Sequence, residues 1–100
     1  MKLLAAVLFV AAPLLSAPAM ASADLANKNK CMTCHQVAAK KLGPSFKEVA
    51  AKYKGQKDAE KMLSASITKG VKGKWGKVPM PPQKVSAADA ATLAKWILTQ

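Results

Sequence analysis

Cys31 and Cys34 are separated by two residues, and His35, the only histidine of the chain, follows directly. This C-x-x-C-H spacing is the signature of covalent c-type haem attachment. One turn of backbone can bring both sulfurs against the two vinyl groups on one porphyrin edge, and the next side chain then lies below the ring. A neutral imidazole in that place is a usual proximal ligand of haem iron. The motif predicts one haem c, held by two thioether bonds from Cys31 and Cys34, with His35 on the iron.

Three other kinds of site are compatible with two cysteines at this spacing. A thioredoxin-like redox pair requires a βαβ context, and the chain has no alternating strand pattern. A structural zinc site requires four ligands, whereas the chain holds only two cysteines and one histidine. A disulfide between Cys31 and Cys34 would close a very short loop and constrain the unfolded chain little. The adjacent histidine and the export signal described next favour haem.

Residues 1–23 have the pattern of a secretory leader. A lysine at position 2 precedes an apolar stretch that is too short to cross a hydrocarbon layer of ~30 Å. Small-x-small cleavage patterns end at Ala21 and at Ala23. We expect a cut after Ala23, no membrane anchor after processing, and a periplasmic location.

Residues 24–100 then form one small domain. A chain of this size rarely buries enough apolar surface to be stable without a cross-link or a bound group. A covalently held porphyrin would be that bound group and also the largest apolar group in the core. The sequence therefore predicts that the protein folds poorly without haem.

The charge of the chain is strongly positive: 16 lysines and no arginine stand against five acidic residues, for a net charge of +11. Nucleic-acid readers usually exploit arginine for bidentate contacts, so its absence, together with export, argues against nucleic acid. A positive field would instead steer encounters with an acidic protein partner and make them sensitive to salt. Lys72, Lys74 and Lys77 are the best candidates for docking, although solvation alone explains them nearly as well.

The apolar spacing predicts an all-α domain with four helices and no strand or internal repeat. The expected helices run from about Leu25 into Cys31, from near Ser45 through Tyr53, from Asp58 to Lys69 and from Ala87 to about Thr99. Asp24, Ser45 and Ser86 are the expected N-caps, and Gly70 is the expected stop of the third helix. The expected inner faces are Phe46, Val49, Ala50 and Tyr53; Ala59, Met62, Leu63, Ser66 and Ile67; and Ala90, Leu93, Trp96 and Ile97.

The second axial ligand can be sought among the five methionines, because the only histidine is already used. Met1 and Met20 leave with the leader, Met32 lies inside the attachment motif, and Met62 occupies an expected core position. Met80 remains, between Pro79 and Pro81-Pro82 in an irregular loop over residues 70–85. Prolines fix φ and hold such a segment extended, so it can press a thioether against the haem. Met80 is the expected sixth ligand, and a methionine in a surface turn is the alternative.

Three further residues are candidates for supporting the haem. His35 needs an acceptor for its other ring N–H, and the carbonyl of Pro44 is the expected partner. Trp75 either donates its indole N–H to a haem propionate or packs as a core residue at the hinge of the loop. Trp96 has the position of a purely structural residue.

The chain as a whole resembles the short bacterial class I monohaem cytochromes c of the periplasmic c-551/c-552 group. The segments that carry the resemblance are Cys31-Met32-Thr33-Cys34-His35, Gly43-Pro44, Val49-Ala50-Ala51-Lys52-Tyr53, Lys74-Trp75-Gly76-Lys77-Val78-Pro79-Met80-Pro81-Pro82 and Leu93-Ala94-Lys95-Trp96-Ile97-Leu98. The Trp-Gly-x-x-Pro-Met-Pro-Pro run is specific to this subgroup, whereas the attachment motif alone marks any c-type haem.

The resemblance implies a small class I cytochrome c fold, with about four helices wrapped around one covalently bound haem. It assigns the cofactor-binding residues as Cys31, Cys34, His35, Met80, Pro44 and Trp75, with His35 and Met80 on the iron. It also implies that Gln83 hydrogen-bonds the sulfur of Met80. Some relatives carry an arginine on the third helix that contacts a propionate, and this chain departs from them with Ser66.

These features predict a monomeric periplasmic one-electron carrier of the respiratory chain, not an enzyme. His/Met ligation raises the haem reduction potential and leaves no open position for oxygen or peroxide. The expected partners are acidic-faced redox proteins such as a nitrite reductase, a terminal oxidase, a peroxidase or an upstream multihaem donor. The alternative is a small haem peroxidase or gas-binding protein with an open distal site, for which no second histidine exists.

Overall fold

The computed structural model describes residue 8 and residues 18–100, and the expectations for the rest of the leader lie outside these residues. The described chain contains four α-helices and one short 3-10 turn: α1 (Pro18–Lys28), the 3-10 turn (Cys31–Thr33), α2 (Phe46–Tyr53), α3 (Ala59–Lys69) and α4 (Ala87–Leu98). None of these helices is long and apolar enough to cross a membrane. The prediction of an all-α fold is confirmed.

Two serine caps set the starts of α2 and α4, as the sequence predicts. The hydroxyl of Ser45 accepts a hydrogen bond from the backbone N–H of Glu48 at 3.0 Å. The hydroxyl of Ser86 accepts one from the backbone N–H of Asp89, also at 3.0 Å. Each bond satisfies one of the N–H groups that a helix leaves unpaired at its first turn.

The first helix differs from the prediction at both ends. It begins at Pro18, so Asp24 lies within the helix and is not its N-cap. Alanines at positions 19, 21 and 23 are the strongest helix formers, which allows the helix to extend past Asp24. The helix ends at Lys28, and Lys30 then adopts a left-handed conformation with a φ of 58°. The attachment motif therefore occupies a separate 3-10 turn instead of the end of α1.

The core forms around α4, which packs against α1, α2 and α3. Buried apolar residues from all four helices meet there, and Leu93 and Ala94 of α4 are 1% and 0% exposed. Trp96 of α4 meets the ring of Phe46 of α2 edge-to-face, with ring centroids 5.2 Å apart. This contact agrees with the expected structural role of Trp96.

Met62 does not take the core position expected for it. Its exposed fraction is 38%, whereas the buried residues of α3 are Ala59, Leu63 and Ile67. These three residues lie four positions apart, so they form one narrow stripe along the helix. Met62 lies to one side of that stripe, which explains its exposure.

The irregular segment after α3 is tied back on itself by one pair of backbone hydrogen bonds. Val71 and Met80 each donate an N–H to the other's carbonyl at 2.9 Å, forming an isolated antiparallel bridge. Gly70 directly precedes the bridge, with a φ of 82°, and a Cβ there would lie 2.7 Å from the carbonyl oxygen of Met80. Only glycine fits this close approach. The bridge fixes the position of Met80 relative to α3.

Candidate haem-binding site

A large open cavity lies between the helices and the two irregular segments that carry the motifs. Its empty volume is about 1270 Å³, which includes space continuous with solvent at its mouth. The apolar floor comes from α2, α3 and α4, through Phe46, Val49, Tyr53, Leu63, Ile67, Leu93 and Ile97. The remaining wall is formed by the attachment motif, by residues 42–44 and by the loop that contains Met80. A wide apolar cavity of this kind suits a flat macrocycle.

Both cysteines of the attachment motif line this cavity, and no disulfide joins them. The turn is closed by N–H groups of Cys34 and His35, which donate to the carbonyl of Cys31 at 3.2 and 3.0 Å. Burial raises the pKa of the Cys31 thiol, an effect that a backbone hydrogen bond partly offsets. The two sulfurs therefore come from one turn at one edge of the cavity.

His35 is held on three sides by its neighbours. Its Nδ1 lies 2.8 Å from the carbonyl oxygen of Pro44, which can only accept, so Nδ1 carries the proton and Nε2 keeps a free lone pair. The imidazole stacks on the ring of Phe46, with centroids 5.2 Å apart and an interplanar angle of 21°. A Cβ at Gly43 would lie 2.6 Å from Cε1 of the imidazole, so a side chain at position 43 would displace the ring. The arrangement presents Nε2 as a metal ligand.

Among the methionines whose side chains the structure describes, only Met80 lines the cavity. Met32 packs against the hydrophobic core and Met62 is partly exposed, and neither contributes to the cavity wall. Because Met80 and His35 line the same cavity, the two expected donors to iron are brought together. An imidazole and a thioether form the donor set of cytochrome c haem iron.

Trp75 also lines the cavity, and two lysines stack on aromatic rings beside it. The Lys52 ammonium lies 4.3 Å from the centroid of Trp75, and the Lys74 ammonium lies 4.6 Å from the centroid of Tyr53. The two contacts cross between α2 and the loop, and each is worth about 0.5–1 kcal/mol where it is exposed. Sequence reasoning missed this pairing, because residues 52–53 and 74–75 are distant along the chain.

Gln83 and Ser66 line the cavity but hydrogen-bond elsewhere. The side-chain amide of Gln83 donates to the carbonyl of Pro81 at 2.8 Å, not to the sulfur of Met80 as the resemblance implies. Its backbone N–H donates to the carbonyl of Ile67 and so ties the loop to α3. The hydroxyl of Ser66 donates to the carbonyl of Met62 at 3.0 Å.

The competing interpretations of the cysteine pair find no support in the part of the chain that the structure describes. No three His, Cys, Asp or Glu side chains gather there as a metal site, so a structural zinc ion would lack ligands. The described residues form no strand beyond the single bridge, so the βαβ context of a thioredoxin-like pair is missing.

The family profile described as Cytochrome c matches residues 19–100. The chain belongs to the cytochrome c family. It is a small class I cytochrome c that carries electrons and holds one covalently bound haem c, with its iron, through two thioether bonds.

Named relatives place this cytochrome among the c-551 and c-552 proteins. It is 53% identical over 93 residues to cytochrome c-552 of Nitrosomonas europaea, covering 91% of this chain and 90% of that one. It is 49% identical over 92 residues to cytochrome c-552 of Hydrogenobacter thermophilus, covering 92% and 94%. The crystal structure of wild-type Nitrosomonas europaea cytochrome c552 superposes with a TM-score of 0.75 at 54% identity, covering 77% of this chain and 96% of that one. The small class I fold and the bound haem that the sequence predicts are therefore confirmed.

Proposed function

We propose that this cytochrome works in the periplasm as a one-electron carrier whose haem iron is held between His35 and Met80. The observation that carries the proposal is the shared cavity, whose wall includes both donors and both cysteines. Haem c, when bound, supplies a one-electron ferric/ferrous couple.

The residues around the cavity contribute fixed geometry and exclusion of water. Pro44 and Phe46 orient the His35 imidazole, so that its Nε2 would face the iron of a bound haem. The bridge between Val71 and Met80 holds the thioether on the loop. A haem held by both His35 and Met80 would transfer single electrons without leaving a coordination position open to oxygen or peroxide.

Replacement of the thioether tests this assignment. In the haem-loaded Met80→Ala protein we expect a lower reduction potential, loss of the weak near-infrared absorption of ferric iron–methionine sulfur bonding, and binding of carbon monoxide. A redox-titrated absorption spectrum of wild type and variant measures all three.

Met62→Ala is the matched control, because it also removes one thioether but from a partly exposed site outside the cavity. It should leave all three properties unchanged. Carbon monoxide binding by the wild-type protein at neutral pH would contradict the ligand assignment and favour a gas-binding protein or small peroxidase with an open distal site.

The positive surface supports an acidic-faced protein as the redox partner. Five acidic residues and 16 lysines leave a net charge of +11, and the exposed Lys72 and Lys77 flank the loop that carries Trp75. Such a field accelerates encounters with an acidic surface and is screened by salt. A nitrite reductase, a terminal oxidase, a peroxidase or an upstream multihaem donor fits this description, and the carrier would meet it as a monomer.

The location rests on the leader, for which we propose removal of residues 1–23. Helix α1 runs through both cleavage patterns, so either cut would shorten it. A cut after Ala23 keeps the fully buried Ala26 and discards Ser22, which is 4% exposed. The intact mass of the haem protein recovered from the periplasm identifies the cut, and a mass that includes residues 1–23 would contradict the proposal.

A further inference from the structure

The cavity wall carries very few charged groups, and their positions matter for a cofactor that carries two carboxylates. Lys30 and Lys74 are the only lysines among the described residues that line the cavity, and no Asp or Glu lines it. Ser66, the residue of α3 with a side-chain hydroxyl at this wall, donates that hydroxyl to a backbone carbonyl. Among the charged side chains of the cavity wall, only these two lysines can pair with a haem carboxylate.

The attachment motif fixes the orientation of the haem, so the two lysines lie near different edges of it. The vinyl groups and the carboxylates of haem lie on opposite halves of the macrocycle, so thioether bonds at Cys31 and Cys34 direct the carboxylates away from the cysteines. Lys30 directly precedes Cys31 and so lies at the thioether edge. Lys74 is the lysine left for the carboxylate edge.

The length of helix α2 gives an independent estimate of the distance between the attachment motif and Lys74. Its first residue, Phe46, stacks on the imidazole of His35, next to the attachment motif. Its last residue, Tyr53, stacks under the ammonium of Lys74. An eight-residue helix at ~1.5 Å per residue places these two ends roughly 10 Å apart, which is about the width of a porphyrin. Lys74 and Trp75 thus lie on the side of the cavity away from the cysteines.

We propose that Lys74 is a haem-binding residue, whose ammonium pairs with a haem carboxylate while the ring of Tyr53 holds it at the cavity rim. An ammonium over an aromatic face keeps N–H donors free, so it can contact the ring and a carboxylate together. The neighbouring Lys52, which lies over Trp75, adds positive charge to the same rim. Lys74 then belongs to the cofactor site and not to the partner-docking surface.

The pairing has a consequence for the reduction potential. An ammonium beside a carboxylate favours the ionised form, so the carboxylate binds its proton only at lower pH. An ionised carboxylate near the iron stabilises the ferric state, so the potential falls as pH rises through this titration. The charged or titratable side chains at this rim are Lys74 and Tyr53, with Lys52 beside Trp75. Helices α3 and α4 contribute only neutral side chains to the cavity wall, namely Leu63, Ser66, Ile67, Leu93 and Ile97.

The test is the reduction potential of the haem-loaded Lys74→Gln protein, measured from acidic to alkaline pH. We expect the fall in potential to move to higher pH by about one pH unit, the lower end of the effect of an opposite charge at ~4–6 Å. Lys72→Gln is the control, because it removes the same charge from the same loop but does not line the cavity. It should leave the pH profile in place, and Lys74→Arg should restore the wild-type profile.

Superimposable profiles for Lys74→Gln and Lys72→Gln would overturn the proposal, since the effect would then be one of net charge alone. The inference rests on the proposed placement of the haem, and the same samples distinguish a failure of that placement from a failure of the Lys74 assignment. If the ligand assignment is wrong, the wild-type protein will lack the near-infrared absorption. If only the Lys74 assignment is wrong, every variant will keep that absorption and the pH profile of Lys74→Gln will not move.

Discussion

Lys30 is the non-glycine residue with a positive φ in the part of the chain that the structure describes, and it directly precedes the attachment motif. Its φ of 58° and ψ of 24° place it in the left-handed region. A Cβ in that conformation is crowded by the following carbonyl oxygen, at a cost of roughly 1–2 kcal/mol. The strain is the consequence of ending α1 abruptly, so that the cysteines can turn towards the cavity.

Relief of this strain should stabilise the haem-loaded protein. For Lys30→Gly we expect the free energy of unfolding to increase by about 0.5–1 kcal/mol, because glycine adopts the left-handed region freely but loses more entropy on folding. Urea unfolding followed by circular dichroism measures it. Lys30→Ala removes the same side chain and keeps the Cβ, so it should bring no gain; equal stabilities of the two variants would show that φ is not the cause.

The helix stop and the ligand loop are coupled at Gly70. This residue ends α3, where its N–H donates to the carbonyl of Ser66 at 3.0 Å. It also lets the backbone of Met80 approach, since a Cβ at Gly70 would lie 2.7 Å from the Met80 carbonyl oxygen and 3.0 Å from Pro82. The end of α3 at Gly70 therefore determines how close the backbone of Met80, and with it the thioether, can lie to this helix.

Gly70→Ala should push the loop away from α3 and weaken the proposed bond between Met80 and the haem iron. We expect a reduced near-infrared absorption of the ferric protein and a lower reduction potential. Gly55→Ala is a matched control, because Gly55 has a φ of 79° and no atom within 4 Å of an added Cβ. Both variants suffer the same backbone strain, so only Gly70→Ala should change the spectrum. A spectral change of equal size in both would mean that general destabilisation is responsible.

At the scale of the whole molecule, the haem cavity lies inside the helical core, so a bound haem would supply part of the core packing. Seven apolar side chains of α2, α3 and α4 line it, and all seven also belong to the buried core. Without haem these side chains would face an empty or wet space, which removes packing that so small a domain needs. Haem binding and folding should therefore be strongly coupled.

A Cys31→Ser/Cys34→Ser protein without haem should be poorly folded. We expect narrow amide dispersion in its proton–nitrogen NMR spectrum and reduced helix content, because the lining of the cavity loses its main contact. The single substitution Cys34→Ser, which retains one thioether when haem is attached, should keep the dispersion of a folded protein. A double variant free of haem with sharp, well-dispersed signals would contradict the coupling.

Local patterns were sufficient for much of the fold. The serine caps of α2 and α4 and the stop at Gly70 follow from residues within four positions of each other, and all three occur as predicted. The predicted start of α1 was wrong because the alanines at positions 19, 21 and 23 allow the helix to extend past Asp24, a polar residue that could have capped it. The exposure of Met62 was missed because a helical face is wide, and only the neighbour it packs on decides which edge is covered.

The sequence alone determined that this protein binds haem c, because the C-x-x-C-H motif identifies the cofactor within five residues; the proline-flanked methionine predicts the second iron ligand in the same local way. It also determined the family and the four-helix plan. The hydrogen bond between His35 and the Pro44 carbonyl was also predicted from the sequence. Only the tertiary structure decided that the Met80 backbone lies against Gly70 and that Lys74 lies on the ring of Tyr53. These two contacts join segments that are distant along the chain or irregular, and they depend on how helices and loops pack, which no local periodicity records.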